Sequence, residues 1–195
     1  MKAFSIALAL AASIPAAWSA PIGIAGGTTS VELDPATAAI LTGALTITPL
    51  GTGTLVGLTA TFPITGGFID PVTGMAQIEH VGSGLGFSDG TDTLDLTDFL
   101  IDVDLVAVTG ILSGQAALNG AALGSVPLFD IGPGLVLTLR SEAAAALTQV
   151  FGVPDFTGAV IGVATTSPTT VPEPATWAAL GGALTALAWM RRRAA

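Results

Sequence analysis

The chain has 195 residues, 51% of them hydrophobic, with five basic against fourteen acidic residues and a formal net charge of −9. It contains no cysteine, so disulfide cross-links are excluded. Nucleic-acid binding requires clustered Lys and Arg, and the chain has too few of them, so we expect no nucleic-acid partner.

Residues 1–19 have the layout of a secretory signal peptide. A basic residue precedes an apolar stretch over residues 3–12. Cleavage after Ser19 leaves small residues at the two positions that require them, whereas cleavage after Ala20 would place Trp18 at one of them. We therefore predict that the chain enters the secretion machinery and that its mature part begins at about residue 20.

Residues 20–164 are predicted to form one secreted, β-rich domain. This body keeps thirteen of the fourteen acids and one base, Arg140, and so carries a formal net charge of −12 with His80 neutral. Such a charge repels nucleic acid and anionic lipid, and it is compatible with divalent cations and with a soluble exterior.

Two short helices are indicated by their capping residues. Asp34 is a favourable N-cap and Pro35 suits the first helical position, which predicts a helix that ends near Gly43. Ser141 is predicted to cap a second helix over residues 142–151.

The two predicted helices lie in segments that resemble each other. Residues 33–42 and 139–148 are identical at five of ten positions. Either this agreement is chance between alanine-rich helices, or one strand–helix unit is used twice in the domain.

Most of the remaining body is predicted to be strand and turn. Apolar and polar side chains alternate through residues 99–104, as in a sheet with one solvent face. Turn sequences recur at residues 70–74, 88–90 and 119–120. We predict a mainly β fold, either an antiparallel β-sandwich or a curled sheet with two short helices, plus a C-terminal hydrophobic sorting helix.

The carboxyl end has a distinctive order of parts. Residues 165–170 are predicted to be a flexible linker, and a proline-rich element, an apolar run and a basic cluster follow: Val171, Pro172, Glu173 and Pro174; residues 175–190; and Arg191, Arg192 and Arg193. The arginines stop translocation and stay in the cytoplasm. The apolar run is shorter than the span of about 20 residues that a permanent anchor needs.

This ending resembles the PEP-CTERM sorting signal of bacteria that make exopolysaccharide. In that family a membrane-embedded exosortase recognises and removes the tail. The resemblance implies that residues 171–195 anchor the chain transiently in the inner membrane. The body then goes to the surface or biofilm matrix of a Gram-negative bacterium, with exopolysaccharide as a further candidate partner. The alternative is an ordinary single-pass anchor on a proline-rich stem.

A second resemblance covers roughly residues 30–165. The motifs that carry it are LDPAT at 33–37, FPITGG at 62–67, IDPVTG at 69–74, IEHVGSGL at 78–85 and LTDF at 96–99. The body resembles exported bacterial β-rich proteins related to the HtaA domain of haem-uptake systems. That resemblance implies a fold and, as a candidate function, haem binding.

Haem iron requires an axial His, Tyr, Cys or Met ligand, and the HtaA-related family is similar to proteins that use Tyr with a His partner. The chain has no tyrosine, so such a site cannot be transferred to it. His80, its only histidine, is the remaining candidate ligand. The alternative is a histidine on the exposed surface of a strand.

Calcium is the second candidate cofactor, because six aspartates fall within sixteen residues, from Asp89 to Asp104, and Ca²⁺ takes six to eight oxygen ligands. Asp89 and Asp92, in a loop, are the predicted metal ligands. The alternative is a solvated acidic face that discourages aggregation of strand edges.

Catalysis is not predicted. The body has neither Cys nor Lys to serve as a nucleophile, and Ser83 does not lie in a strand–turn–helix elbow. We predict a non-catalytic structural or interaction protein of the surface or matrix. The alternatives are an HtaA-like ligand-binding module of haem type and a calcium-stabilised, adhesin-like domain.

Overall fold

The computed structural model describes residues 20–171. The predicted signal peptide, the predicted sorting helix and the basic cluster lie outside the described residues. Over residues 20–171, neither helix is both long enough and apolar enough to cross a membrane.

Eleven strands and two helices make up this part of the chain. They are β1 (Ile22–Leu33), α1 (Pro35–Ala44), β2 (Thr46–Gly51), β3 (Thr54–Val56), β4 (Thr59–Pro63), β5 (Gly66–Ile69), β6 (Met75–Ser88), β7 (Thr93–Asp104), β8 (Thr109–Leu118), β9 (Ala121–Gly132), β10 (Val136–Leu139), α2 (Ser141–Phe151) and β11 (Val160–Thr170). A short 3₁₀ turn, Pro133–Leu135, joins β9 to β10.

The sheet closes on itself. From β5 to β11 the antiparallel neighbours run β5, β6, β7, β8, β9, β10 and β11, and β1 pairs with both β5 and β11. β4 also pairs with β1. β2 pairs with the second half of β6, and β3 pairs with β4. The predicted mainly β architecture with a curled antiparallel sheet and two helices is confirmed. All the strand pairings that close the ring are made within residues 20–171.

Alternation of side chains builds the core inside the ring. On β7, Phe99, Ile101 and Val103 are buried while their neighbours are partly exposed, as the pattern predicted. They join a cluster contributed by most strands, including Ile24, Val31, Phe62, Ile78, Leu112, Leu128, Ile131 and Leu137. Each fully buried side chain of this size contributes roughly 1.5–3 kcal/mol to folding.

The first helix begins as its cap predicts. The Asp34 carboxylate accepts a hydrogen bond from the backbone N–H of Thr37 at 2.9 Å, and α1 starts at Pro35. The second helix differs from the prediction, since Arg140 occupies the N-cap position and Ser141 is the first helical residue. The Ser141 hydroxyl instead bonds the Glu142 carboxylate at 3.1 Å, so it does not cap the helix.

The two similar segments form equivalent structures. Leu33 ends β1 before α1, and Leu139 ends β10 before α2. Leu41 of α1 and Leu147 of α2 meet in a second hydrophobic cluster beneath the helices. One strand–helix arrangement is therefore used twice around a shared core.

The predicted flexible linker at residues 165–170 is a paired strand. These residues form the last part of β11, in register with β1 from Ser30 to Ile24. Pro168 is accommodated there opposite Gly27, whose φ of 120° and missing side chain let the two backbones approach closely. A proline lacks an N–H donor and is tolerated at a sheet edge. This part of β11 pairs with β1 alone, since β10 pairs only within residues 160–163.

The closed sheet has two distinct ends. At the terminal end, where β1 begins and β11 stops, the Val171 N–H donates to the Gly23 carbonyl at 2.8 Å. At the opposite, helical end, α1 follows β1 and α2 follows β10. The twelve residues of β1 separate the two ends by roughly 35 Å.

Candidate functional site

His80 lies inside the closed sheet and is only 1% exposed. It follows Ala76 and Ile78 on the inward face of β6 and pairs with Phe99 of β7. The expectation of a surface histidine is therefore wrong, because His80 follows Ala76 and Ile78 at two-residue spacing and so lies on the same face of the strand.

Both ring nitrogens of His80 have partners. Nδ1 lies 3.2 Å from the Phe99 carbonyl oxygen, which only accepts, so Nδ1 carries the proton. Nε2 lies 2.8 Å from Thr29 Oγ1 and accepts the hydroxyl proton. Thr29 in turn lies 3.0 Å from Thr166 Oγ1, so a chain of hydrogen bonds runs from β11 through β1 to β6.

Burial keeps this histidine neutral. Removal from water lowers the pKa of His80 below its ordinary value of 6.5, and the bond to the Phe99 carbonyl opposes this only in part. The lone pair of Nε2, the atom that would bind a haem iron, is occupied by the Thr29 hydroxyl. Iron ligation by His80 would therefore require that this buried hydrogen bond be broken first.

An inner cavity of about 80 Å³ adjoins His80 and extends toward the helical end. Four of the seven phenylalanines of the body line it: Phe62, Phe87, Phe99 and Phe129. Leu41 of α1 also lines it. The rings of Phe62 and Phe99 meet edge to face with centroids 5.1 Å apart, an arrangement that fixes the aromatic wall.

A larger outer groove of about 340 Å³ lies between α2 and strands β7, β8 and β9. Its lining is aliphatic and aromatic, with Glu142 as its one charged residue. The inner cavity and the outer groove share a wall of four side chains, Leu41, Phe87, Phe129 and Ile161. Leu123 of β9 lines the groove and is still 59% exposed, so the groove is open to solvent.

The charges near the outer groove are already paired. Arg140, the only Lys or Arg between residues 20 and 171, forms an ion pair with Asp130, and its Nε lies 3.7 Å from a carboxylate oxygen of Glu142. No unpaired cation therefore faces the groove within the described residues.

The predicted calcium ligands serve in turns. Oδ1 of Asp89 accepts the backbone N–H groups of Thr91 and Asp92, both at 2.8 Å, and Asp92 accepts the side-chain amide of Asn119 at 2.7 Å. The two bonds from the backbone hold the pKa of Asp89 below its ordinary value. Over residues 20–171, no three His, Asp or Glu side chains are arranged to hold a metal ion.

Comparison with known protein families identifies the carboxyl end. Residues 170–193 match the family described as the PEP-CTERM protein-sorting motif. The chain carries this sorting signal. PEP-CTERM signals indicate export and sorting to the cell surface in Gram-negative bacteria, so the protein is exported and its tail is recognised by an exosortase.

The fold also has a solved counterpart. The crystal structure of the C-terminal domain of HtaA from Corynebacterium glutamicum is similar to this chain, with a TM-score of 0.61 and 12% identity. The similarity covers 77% of this chain and 99% of that domain. The predicted resemblance to the HtaA domain is confirmed at the level of fold. No curated protein matches the chain.

Sequence reasoning singled out His80 but missed the rest of the interior. Thr29 lies 51 residues earlier in the chain, and the groove is built from residues of eight elements, so no local pattern marks either. The inward position of His80 did have a signal, the apolar residues Ala76 and Ile78 at two-residue spacing.

Proposed function

We propose that the exported body is a non-catalytic structural or interaction component of the cell surface or biofilm matrix. It reaches that place through the secretion machinery and a transient inner-membrane intermediate, from which an exosortase releases it. Exopolysaccharide is a candidate partner there. The sorting motif at residues 170–193 is the main support.

The single structural observation behind this proposal is the position of the two chain termini. Val171 and Gly23 are hydrogen-bonded at the terminal end, and the sorting motif begins at Thr170, the last residue of β11. Both terminal signals therefore leave the folded body from one end. While the tail is in the membrane, the helical end with its groove points away from it.

The chemistry of the described interior supports a role without catalysis. His80 is neutral and bonded on both nitrogens. Acidic side chains at the surface act in turns, where Asp70, Asp89 and Asp104 each accept backbone N–H groups two and three residues later.

Mass spectrometry of the protein recovered from the host's surface or medium tests the proposal. We expect a chain that begins near residue 20 and lacks Arg191, Arg192 and Arg193. Glu173→Ala should accumulate in the membrane fraction with its arginines, while the matched body variant Glu79→Ala should be released normally. Recovery of the intact chain from the cytosol would contradict the proposal.

A second candidate function is the binding of an apolar ligand, of haem type or another class. The inner cavity and outer groove at the helical end favour it, since apolar concavities with few polar groups are the usual form of a ligand site. A haem titration of the body, with a shifted Soret band as the expected sign, tests the haem-type alternative, and His80→Ala tests the axial ligand.

A further inference from the structure

We propose that the outer groove binds an uncharged ligand with a single hydrocarbon chain, such as a long-chain alcohol or a monoacylglycerol. The chain of the ligand lies between α2 and strands β8 and β9, with its end against the wall shared with the inner cavity. This inference rests on the second candidate function and specifies its ligand.

The size and position of the groove fit such a chain. Its volume of about 340 Å³ lies at the lower end of the roughly 300–1,000 Å³ typical of small-molecule sites. Leu123 of β9 and Ala146 of α2 line it and are exposed, so it opens to solvent there. A bound hydrocarbon would cover Leu123, which gives this exposed apolar side chain a role.

The wall shared with the inner cavity also favours a narrow chain over a flat ring system. Phe87 and Phe129 belong to the partition between the groove and the inner cavity. The inner cavity alone, at about 80 Å³, is too small to hold a flat ring system. A chain end can contact Phe87 and Phe129 without displacing Phe62 and Phe99, which line only the inner cavity.

The negative net charge of the body favours an uncharged head group on the ligand. A fatty acid or a porphyrin with carboxylates would bring negative charge to a body of net charge −12. Its nearest cation, Arg140, already forms ion pairs with Asp130 and Glu142, and its buried Nε has no hydrogen-bond partner among residues 20–171. Like charges placed together repel each other, so an anionic head group weakens binding. An alcohol avoids this repulsion, and its hydroxyl can donate to the Glu142 carboxylate at the groove.

Competition between two ligands of one chain length tests the proposal. The folded unit of residues 20–171 is titrated with the neutral fluorophore N-phenyl-1-naphthylamine at about pH 8, where a fatty acid is ionised. We expect enhanced fluorescence that dodecanol reverses at concentrations at least about tenfold lower than dodecanoate, the ratio expected from about 1.4 kcal/mol of charge repulsion.

Two tryptophan variants locate the site. Ala146→Trp fills the groove and should weaken binding of the fluorophore at least about tenfold. Ala145→Trp, an exposed alanine of the same helix that does not line the groove, should bind as the native chain does. Glu142→Lys should raise the affinity for dodecanoate relative to dodecanol.

The outcomes test separately whether the groove binds a ligand and whether that ligand is an uncharged chain. If the native chain does not bind the fluorophore, or Ala146→Trp binds it as well as Ala145→Trp, the groove is not a ligand site. If dodecanoate or haemin competes as well as dodecanol, the groove binds ligands but the assignment to uncharged chains is overturned.

Discussion

At the residue scale, the buried polar chain around His80 is the most specific feature of the interior. His80 and Thr29 are among the few polar side chains in the core, and each satisfies the other. Buried polar groups are tolerated only when hydrogen-bonded, so the network fixes the pairing of β1, β6 and β11 at one register.

The first prediction concerns pH. Because the pKa of folded His80 lies below its unfolded value of 6.5, the unfolded chain binds more protons between these two values. The stability from neutral His80 is fully present above pH 6.5 and is lost as the pH falls toward the folded pKa. Urea unfolding from pH 7.5 to 5.5 should show this loss in the native chain and a flatter profile in His80→Gln.

A surface carboxylate provides the control. Hydrogen bonds from Thr157 lower the pKa of Asp155 below 3.8, so Asp155→Asn should leave the slope between pH 7.5 and 5.5 unchanged. An identical slope in the native chain and His80→Gln would show that the histidine does not contribute.

The second prediction separates the two threonines of the network. Thr29→Val leaves Nε2 of His80 without a donor inside the core, which should cost about 1–3 kcal/mol of unfolding free energy. Thr166→Val removes only a half-buried donor to Thr29 and should cost less than about 1 kcal/mol. Denaturant unfolding measures both, and equal losses would contradict the role assigned to Thr29.

At the element scale, glycines set how closely strands approach. A Cβ on Gly162 of β11 would lie 2.3 Å from the Glu32 carbonyl oxygen of β1, a clash with backbone that neither strand can relieve by a side-chain rotation. The seam that closes the sheet therefore depends on this glycine.

The third prediction uses that position. Gly162→Ala should destabilise the chain by about 1–3 kcal/mol or more. Gly43→Ala is the matched control, since Gly43 lies in α1 with open space around it. That change should stabilise by roughly 0.5–1 kcal/mol, because alanine favours a helix more than glycine does. Thermal and urea unfolding check both, and a neutral Gly162→Ala would contradict the close seam.

The fourth prediction tests the calcium hypothesis at Asp89 and Asp92. A bound ion stabilises the folded chain, so a chelator should lower the melting temperature of the native chain but not of Asp89→Asn. An unchanged melting temperature in the native chain would contradict calcium binding, and the hydrogen bonds within the turn would then be the role of both aspartates.

The elements were predictable where the signal is local. The cap at Asp34 and the alternation over residues 99–104 correctly predicted α1 and the two faces of β7. Residues 165–170 were wrongly predicted to be a linker, because Thr, Ser and Pro are typical of loops. Their pairing as a strand depends on Gly27, which is far away in sequence. Ser141 misled because a serine at the start of a helix can face a neighbouring carboxylate instead of the helix N–H groups.

At the scale of the whole molecule, the closed sheet has two different ends, with the termini of the described chain at one and both helices at the other. The fold class could be predicted from strand and turn patterns, and the sorting signal from its three ordered parts. Closure through β1 and β11 could not, since it joins residues more than a hundred positions apart. The groove depends on that closure and on the placement of α2 against β9.

The fifth prediction concerns orientation during sorting. Because the chain has no native cysteine, single cysteines can be introduced at Val72, in the turn at the terminal end, or at Ala145, at the helical end. In cells without exosortase activity, a bulky maleimide should label Ala145→Cys faster than Val72→Cys. After release both should react alike. Equal labelling before release would contradict an outward-facing helical end.

Closure of the ring also sets the order of events during export. The first strand to emerge from the secretion channel needs the last one as a neighbour, so the sheet cannot be completed while the chain is still being threaded. In the proposed membrane intermediate, the sorting tail enters the bilayer as β11 arrives. Maturation of the body and engagement of the exosortase would then fall in the same interval, and a chain truncated before β11 would leave β1 with an open edge exposed to aggregation.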